Sequence, residues 1–250
     1  MEFSKTGYQT LLETALDAGY RFIPFDSTLH LKQGSLCLLR HDVDVNLAAA
    51  LEIAKVESTL GIRSTFFLML RSPLYNLMGR ANSRIVQEII QLEHRIGLHY
   101  DDGFCLDKRH SIEEWICLES GILEKMFGVQ IKVVSFHQPS RAILSGEMKL
   151  NNHVNTYNKK ELDGFFYVSD SNKIWKVESP YDIFQKELYS KVHLLIHPLW
   201  WIGDYNLPTE DVWEQMIVSN FYHSQKQLLE TERAYGPARE ITISKASVCC

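Results

Sequence analysis

The sequence predicts a parallel α/β barrel or sheet, and two observations support that fold class. Apolar segments of strand length alternate with segments of helical period along the 250 residues, and this alternation is typical of a parallel sheet with helical crossovers. In addition, four apolar runs lead into titratable groups, namely His41 to Asp44, His99, His137 and His197. Because the carboxyl ends of parallel strands share one edge, we expect these side chains to meet in an active site.

The N-terminal half begins with a predicted helix, after which strands and helices alternate. Apolar residues recur at helical spacing from Tyr8 to Ala18, and Gly19 can end this helix because glycine readily adopts the left-handed conformation. The following elements are assigned from uninterrupted apolar runs and from periodic stretches. They are a strand at 35–40, a helix at 47–60, a strand at 64–70, a helix at 83–94 and a short strand at 96–98.

The C-terminal half is predicted to contain three strands and two long helices. Ser111 and Glu114 form a capping-box pattern, which indicates a helix that begins there and runs to Phe127, before Gly128. Residues 140–163 are polar and have no clear period, so they are predicted to form a loop with short helical pieces. The strands are expected at 132–136, 164–168 and 192–196, and the second helix at 209–233.

Composition narrows the class of protein. With 45% hydrophobic residues, the chain can bury a substantial core, and we expect a single domain over residues 1–250. The net charge of −5 is spread over mixed signs and gives no basic face, so nucleic acid is not an expected partner. The sequence contains neither a secretory signal pattern nor an apolar run of roughly 18 residues. A cytoplasmic protein without a membrane span is therefore expected.

The cysteines are predicted to be free thiols. Their number is odd, they form no CxxC pairs, and the chain is large enough to fold without disulfides. They are Cys37, Cys105, Cys117, Cys249 and Cys250.

Asp42 and Asp44 follow the first apolar strand and are separated by one residue. A strand that continued regularly would direct both carboxylates to the same face. Two carboxylates at close range repel each other unless a cation or a proton lies between them. Such a pair can supply one metal ligand and one general base. The alternative is a surface turn after the strand, where aspartate is common.

His99 ends another strand-like run and is followed by Asp101 and Asp102. Its imidazole can bind a divalent ion, and one of the two carboxylates can complete the ligand shell or hold the second ring nitrogen. A hydrogen-bonded structural histidine is the alternative.

His197 is followed closely by Trp200 and Trp201. Aromatic rings beside polar groups are typical of sugar-binding sites, although a position in the core or in a lid suits two tryptophans equally well. Asp170 follows another strand-like run. This carboxylate can orient an imidazole, or it can belong to a surface turn.

Five segments together resemble the polysaccharide deacetylase family, the NodB-like carbohydrate esterases of family 4, and in particular a divergent branch associated with surface-glycan or O-antigen gene clusters. The resemblance extends over roughly residues 36–200 and implies an incomplete (β/α) barrel, typically with seven strands. The segments, each similar to one family motif in chain order, are Leu39–Asp44, Glu93–His99, Ser135–Ser140, Ser169–Trp175 and Leu195–His197.

The resemblance implies a role for four residues. Asp42 corresponds to the catalytic base, Asp44 and His99 to metal ligands, and His197 to the general acid. The implied activity is metal-dependent removal of an N-acetyl or similar N-acyl group from an amino sugar or sugar conjugate in cell-surface glycan biosynthesis. The expected cofactor is a divalent metal ion, Zn²⁺ or a first-row relative.

Two departures from the family pattern affect the metal site. The usual second metal histidine falls at Gly103, and His137 replaces the usual arginine of the third motif. A catalytic zinc site needs three protein ligands and an open position. His137, Asp101 or Asp102 can fill the vacancy, and His137 ranks first because it ends a strand at the same edge.

Two other functions remain open from the sequence. One is a catalytically silent carbohydrate-binding protein that keeps the barrel without the metal. The other is a glycosidase that pairs Asp42 with a second carboxylate.

Overall fold

In the described residues, eight strands form one parallel sheet. The structure is a computed structural model that describes residues 2–26, 28–29, 32–103, 110–203, 207–233 and 235. The strands are β1 (Arg21–Phe22), β2 (Leu36–Val43), β3 (Thr65–Leu68), β4 (Arg95–Asp101), β5 (Val133–His137), β6 (Val154–Asn155), β7 (Phe166–Ser169) and β8 (Lys191–Ile196). Seven of them follow the order β6-β5-β4-β3-β2-β8-β7, and β1 pairs with the beginning of β2.

Helices connect the strands. They are α1 (Lys5–Asp17), α2 (Leu47–Thr59), α3 (Arg80–Gln91), α4 (Ile112–Phe127), α5 (Arg141–Leu144), α6 (Pro180–Gln185), α7 (Leu199–Ile202) and α8 (Thr209–Thr231). Within the described ranges, none of these helices is long and apolar enough to cross a membrane.

The predicted parallel α/β class is confirmed by this topology. β6 and β7 are the end strands of the order, and no pairing between them is found in the described residues, so the barrel is incomplete. Of the predicted free thiols, Cys37 and Cys117 are free, whereas Cys105, Cys249 and Cys250 lie outside the described residues. The single domain over residues 1–250 stays a prediction, since it includes segments outside the described ranges.

The sequence patterns that predicted the two ends of α4 are confirmed. The Ser111 hydroxyl accepts a hydrogen bond from the Glu114 amide at 3.2 Å, and the Glu114 carboxylate accepts one from the Ser111 amide at 2.6 Å. At the other end, Gly128 has a φ of 67°, the left-handed conformation that glycine adopts without strain.

Two strands are longer than the sequence predicted. β2 continues to Val43 and β4 to Asp101, so that Asp42 and His99 lie inside strands. Polar residues broke the apolar runs on which the prediction was based. In the structure, β3 and β8 flank β2 on both sides, and their backbone pairing continues the strand through its polar residues.

Some short elements were absent from the prediction. The segment 140–163, predicted as a loop with helical pieces, contains α5 and also the two-residue strand β6. β1, α6 and α7 were likewise not predicted. Elements this short carry no detectable period, and β1 and β6 are defined by their partner strands.

The two faces of the sheet pack differently. The larger core cluster lies between the sheet and the helices and includes buried residues of α1, α2, α3 and α4. A smaller cluster fills the inner face and consists of Phe25, Leu29, Leu38, Phe67, Val133 and Val154. Because side chains alternate along a strand, Arg40 and Asp42 share this inner face with Leu38.

His193 lies in the interior of the barrel. Its ring packs edge-on against Phe25 and Tyr167, at centroid distances of 5.3 and 5.1 Å. Burial disfavours the charged imidazolium, and the nearby Arg40 adds repulsion, so the pKa of His193 falls to about 3.

We expect His193 to make the free energy of unfolding depend on pH. Between its ordinary pKa of 6.5 and its folded value of about 3, the unfolded chain binds the proton more tightly, so stability falls as the pH falls through this window. His193→Leu should remove up to about 1.4 kcal/mol of that loss per pH unit. Urea unfolding between about pH 7 and pH 5 measures the difference.

The matched control is His110→Leu, because the His110 side chain is 52% exposed. His193→Leu should change the pH slope more than this control does. Equal slopes for His193→Leu and the wild type would contradict the assignment.

Candidate active site

The predicted site residues converge on one cleft at the carboxyl edge of the sheet. The cleft has a volume of about 230 Å³ and is lined by Asp42, Asp44, His99, His137 and His197. Asp42 lies in β2, His99 in β4 and His137 at the end of β5, whereas Asp44 and His197 directly follow β2 and β8. The parallel topology brings together residues that are up to 155 positions apart in the sequence.

One carboxylate oxygen and two imidazole nitrogens form a group that can hold a metal ion. The ligand atoms of Asp44, His99 and His137 all lie within 4.8 Å of one another. Nε2 of His99 lies 3.0 Å from Oδ1 of Asp44, and Nδ1 of His137 lies 3.2 Å from the same oxygen. These are donor types that Zn²⁺ prefers, and three protein ligands match a catalytic site with an open position.

The environment of Asp44 favours a ligand role. In the described part of the chain its buried Oδ1 has no hydrogen bond of normal geometry, despite the two nearby nitrogens. Burial alone would raise the pKa of Asp44, but His137 and His99 outweigh it and hold the pKa well below its ordinary value. The same contact with Asp44 raises the pKa of His137. A charged oxygen without a proper hydrogen bond fits a cation between these groups.

Asp101 and Asp102, the other candidates for the third ligand, use their oxygens locally. Oδ1 of Asp101 accepts a hydrogen bond from the amide of Gly103 at 3.0 Å. Oδ2 of Asp102 accepts one from the amide of Ser140 at 3.2 Å. Among the residues that the structure describes, neither belongs to the group of potential ligands.

Asp42 is bound by a buried arginine that the sequence reasoning missed. Arg40 is 0% exposed, and it donates from Nε to Oδ1 of Asp42 at 2.8 Å and from Nη2 to Oδ2 at 2.6 Å. Burial would raise the pKa of Asp42, but attraction to Arg40 and His99 lowers it below its ordinary value. The spacing of two residues on one strand was the available signal, since it puts Arg40 and Asp42 on one face.

Two further hydrogen bonds join Arg40 to neighbouring side chains. Nη1 donates to the Thr156 hydroxyl at 3.0 Å, and Nη2 also donates to the Tyr157 hydroxyl at 3.2 Å. The guanidinium lies 5.0 Å from the centre of the Tyr157 ring and 5.5 Å from that of Phe67. These contacts hold a buried cation in one orientation.

His197 is paired with Asp170. Nδ1 of His197 lies 2.6 Å from Oδ1 of Asp170, and this fully buried carboxylate also accepts the backbone amide of His197 at 3.0 Å. Burial disfavours the charged ring, but Asp170 outweighs it and the pKa of His197 rises to about 9. At neutral pH this residue is therefore an imidazolium whose Nε2 lies 3.9 Å from Oδ2 of Asp44.

Trp200 and Trp201 lie in the core. They are 3% and 1% exposed, and neither lines the cleft. The indole of Trp201 donates to Oδ2 of Asp170 at 2.8 Å, so it reaches the site through that carboxylate. Trp200 packs edge-on against Trp213, which does line the cleft, at a centroid distance of 5.9 Å.

The aromatic lining of the cleft comes from other residues. They are Phe136, Tyr157, Tyr167 and Trp213, and two side-chain amides, Gln138 and Asn172, accompany them. No spacing in the sequence identifies these residues, because their position depends on how β5, β7, α8 and the segment after β6 fold over the sheet edge.

No protein-family model and no curated protein matches this chain. Among solved structures, a family 4 carbohydrate esterase from Bacillus anthracis is 14% identical, with a TM-score of 0.44, over 85% of this chain and 86% of that chain. The peptidoglycan deacetylase of Bacillus subtilis is 13% identical, with a TM-score of 0.42, over 82% of this chain and 98% of that one.

A pseudoenzyme of family 4, also from Bacillus anthracis, is 14% identical, with a TM-score of 0.43, and the match covers 76% of this chain and 62% of that chain. This chain thus spans less than two thirds of the pseudoenzyme's length. The matched structures include members of the family that the sequence motifs resemble.

We expect Asp170→Asn to lower the pKa of His197. Asparagine keeps the approximate shape of the side chain but removes the negative charge that stabilises the imidazolium. The pKa should fall from about 9 by at least one unit, as measured by NMR titration of the imidazole ring. Trp201→Phe removes the indole donor to Asp170 but keeps the charge of that carboxylate, so it should shift the pKa less. A pKa that stays near the wild-type value in Asp170→Asn would contradict this origin of the shift.

Proposed function

We propose that this protein is a metal-dependent hydrolase that removes an N-acetyl or similar N-acyl group from an amino sugar or sugar conjugate, in cell-surface glycan biosynthesis. One observation carries the proposal. A single cleft contains three potential metal ligands, an ionised carboxylate and a cationic imidazole. Amide hydrolysis needs this combination, because the amine leaves poorly without a proton and water attacks poorly without a base.

Asp44, His99 and His137 would hold the metal ion, for which Zn²⁺ is the expected species. Their donor types and their proximity support this assignment. The ion, when bound, supplies Lewis-acid chemistry to the acyl oxygen and to water.

Asp42 acts as the general base in this proposal. The bidentate contact with Arg40 keeps it ionised and fixes both oxygens, so that it can take a proton from the attacking water. His197 acts as the general acid. Asp170 keeps it protonated at neutral pH, and Nε2 is the nitrogen that remains to give a proton to the departing amine.

The walls of the cleft support a sugar as the substrate. Tyr157, Tyr167 and Trp213 offer aromatic faces on which the C–H face of a sugar ring can pack. Gln138 and Asn172 offer amides that can hydrogen-bond hydroxyl groups. The cytoplasmic location stays a prediction from the sequence.

A catalytically silent sugar-binding protein is the second candidate. Its specific support is Gly103, which occupies the position of the second metal histidine of the family pattern. This candidate keeps the aromatic cleft but predicts a protein without bound metal.

Metal analysis and an acetate-release assay distinguish the two candidates. We expect one divalent ion per wild-type chain after mild purification, and little or none in Asp44→Ala or His137→Ala, because each variant loses one of three ligands. Acetate release from N-acetylated amino sugars and nucleotide sugars should stop when a chelator is added.

The matched control is Asp17→Ala, which removes an exposed carboxylate at the end of α1. It should retain both the metal and the activity. A metal-free wild type would favour the silent candidate, and acetate release that resists the chelator would favour a metal-independent hydrolase.

Asp42→Asn and His197→Ala test the roles of base and acid. Each change removes a group that transfers a proton, so we expect kcat to fall by about 10²–10⁴-fold. The metal content should stay at the wild-type level, since neither residue belongs to the group of potential ligands. Acetate release at the wild-type rate in either variant would remove the corresponding role.

A further inference from the structure

Ser135 lies between a potential metal ligand and the proposed base. Its hydroxyl oxygen is 2.6 Å from Nδ1 of His99 and 3.3 Å from Oδ1 of Asp42. The residue is 0% exposed, so its hydroxyl group lies among protein groups and not at the surface. One hydroxyl group therefore touches two groups of the candidate site.

The sheet fixes this position. Ser135 on β5 is the register partner of His99 on β4, so the two residues lie side by side. Ser135 also precedes His137 by two residues and shares its face of the strand. The same strand thus presents a hydroxyl group and a potential ligand to the site.

A serine hydroxyl has one proton, and the two contacts compete for it. Asp42 accepts two hydrogen bonds from the Arg40 guanidinium and is a charged acceptor, whereas a ring nitrogen such as Nδ1 can accept only through an uncharged lone pair. A hydrogen bond to a charged acceptor is the stronger one. The hydroxyl proton therefore points to Asp42, and Ser135 offers its oxygen to His99 as an acceptor.

This direction determines which nitrogen of His99 carries the proton. Nδ1 must donate to Ser135, and in a neutral imidazole the other nitrogen then holds a lone pair. That nitrogen, Nε2, faces Asp44 at 3.0 Å within the group of potential ligands. The opposite direction would put a proton on Nε2 and prevent it from binding a metal ion.

We propose that Ser135 is a positioning residue: it directs its proton to Asp42, accepts the Nδ1 proton of His99, and so keeps Nε2 of His99 free to bind the metal ion. This inference rests on the proposed function insofar as it assumes a divalent ion at Asp44, His99 and His137. The hydroxyl group of Ser135 thus couples the metal ligand to the base.

The test compares zinc affinity in three variants, measured by competition with a chromogenic chelator. Ser135→Ala should bind Zn²⁺ about 10–100-fold more weakly, the usual effect of removing a partner of a ligating histidine. Ser135→Thr keeps the hydroxyl group and should restore most of the affinity. The matched control is Ser64→Ala, because Ser64 is also buried and its hydroxyl donates to another buried carboxylate, that of Glu57.

A second measurement observes the Nδ1 proton of His99 directly. In zinc-loaded wild-type protein, the Nδ1 proton of His99 should give a downfield NMR signal that exchanges slowly with water. Ser135→Ala should move this signal upfield and accelerate its exchange, and Ser64→Ala should leave it unchanged. A general loss of packing would change many signals and would not act on this proton alone.

The outcomes separate the inference from the proposed function. Equal affinities of Ser135→Ala and the wild type, an equal loss in Ser64→Ala, failure of Ser135→Thr to restore binding, or absence of the Nδ1 proton signal would each overturn the role of Ser135. Zinc binding that depends on Ser135 without acetate release from any substrate would overturn the proposed function alone. A wild type that binds no zinc would overturn both.

Discussion

The candidate site depends on the buried ion pair between Arg40 and Asp42. A carboxylate that is 3% exposed is costly to keep charged unless a cation pairs with it in good geometry. Arg40 provides two parallel hydrogen bonds to Asp42 and donates two more to Thr156 and Tyr157. The negative charge that results orients the Ser135 hydroxyl and makes Asp42 a base in the proposed reaction.

Two pairs of charged groups give Asp42 and His197 opposite states in the same cleft. An arginine favours the ionised form of Asp42, whereas a carboxylate, Asp170, favours the protonated form of His197. A site obtains an acid and a base at the same pH when its surroundings shift the pKa values of two neighbouring groups in opposite directions. In both pairs the attraction outweighs the cost of desolvation, because the pKa of Asp42 is lowered and that of His197 is raised despite burial.

His137 and Arg40 contribute two further groups to the candidate site. His137, at the end of β5, joins Asp44 and His99 in the group of potential ligands. The guanidinium in contact with Asp42 comes from Arg40, on the strand of Asp42 itself. The site therefore combines carboxylate, imidazole and guanidinium groups.

The sequence by itself determined the features that depend on spacings between residues close together in the chain. The strand–helix alternation and the capping box at Ser111 follow from spacings of a few residues. Only the tertiary structure decided which distant groups touch, such as Ser135 with His99. Such contacts, like the aromatic lining of the cleft, depend on the register between strands and on which faces become buried, and no spacing within one segment records either.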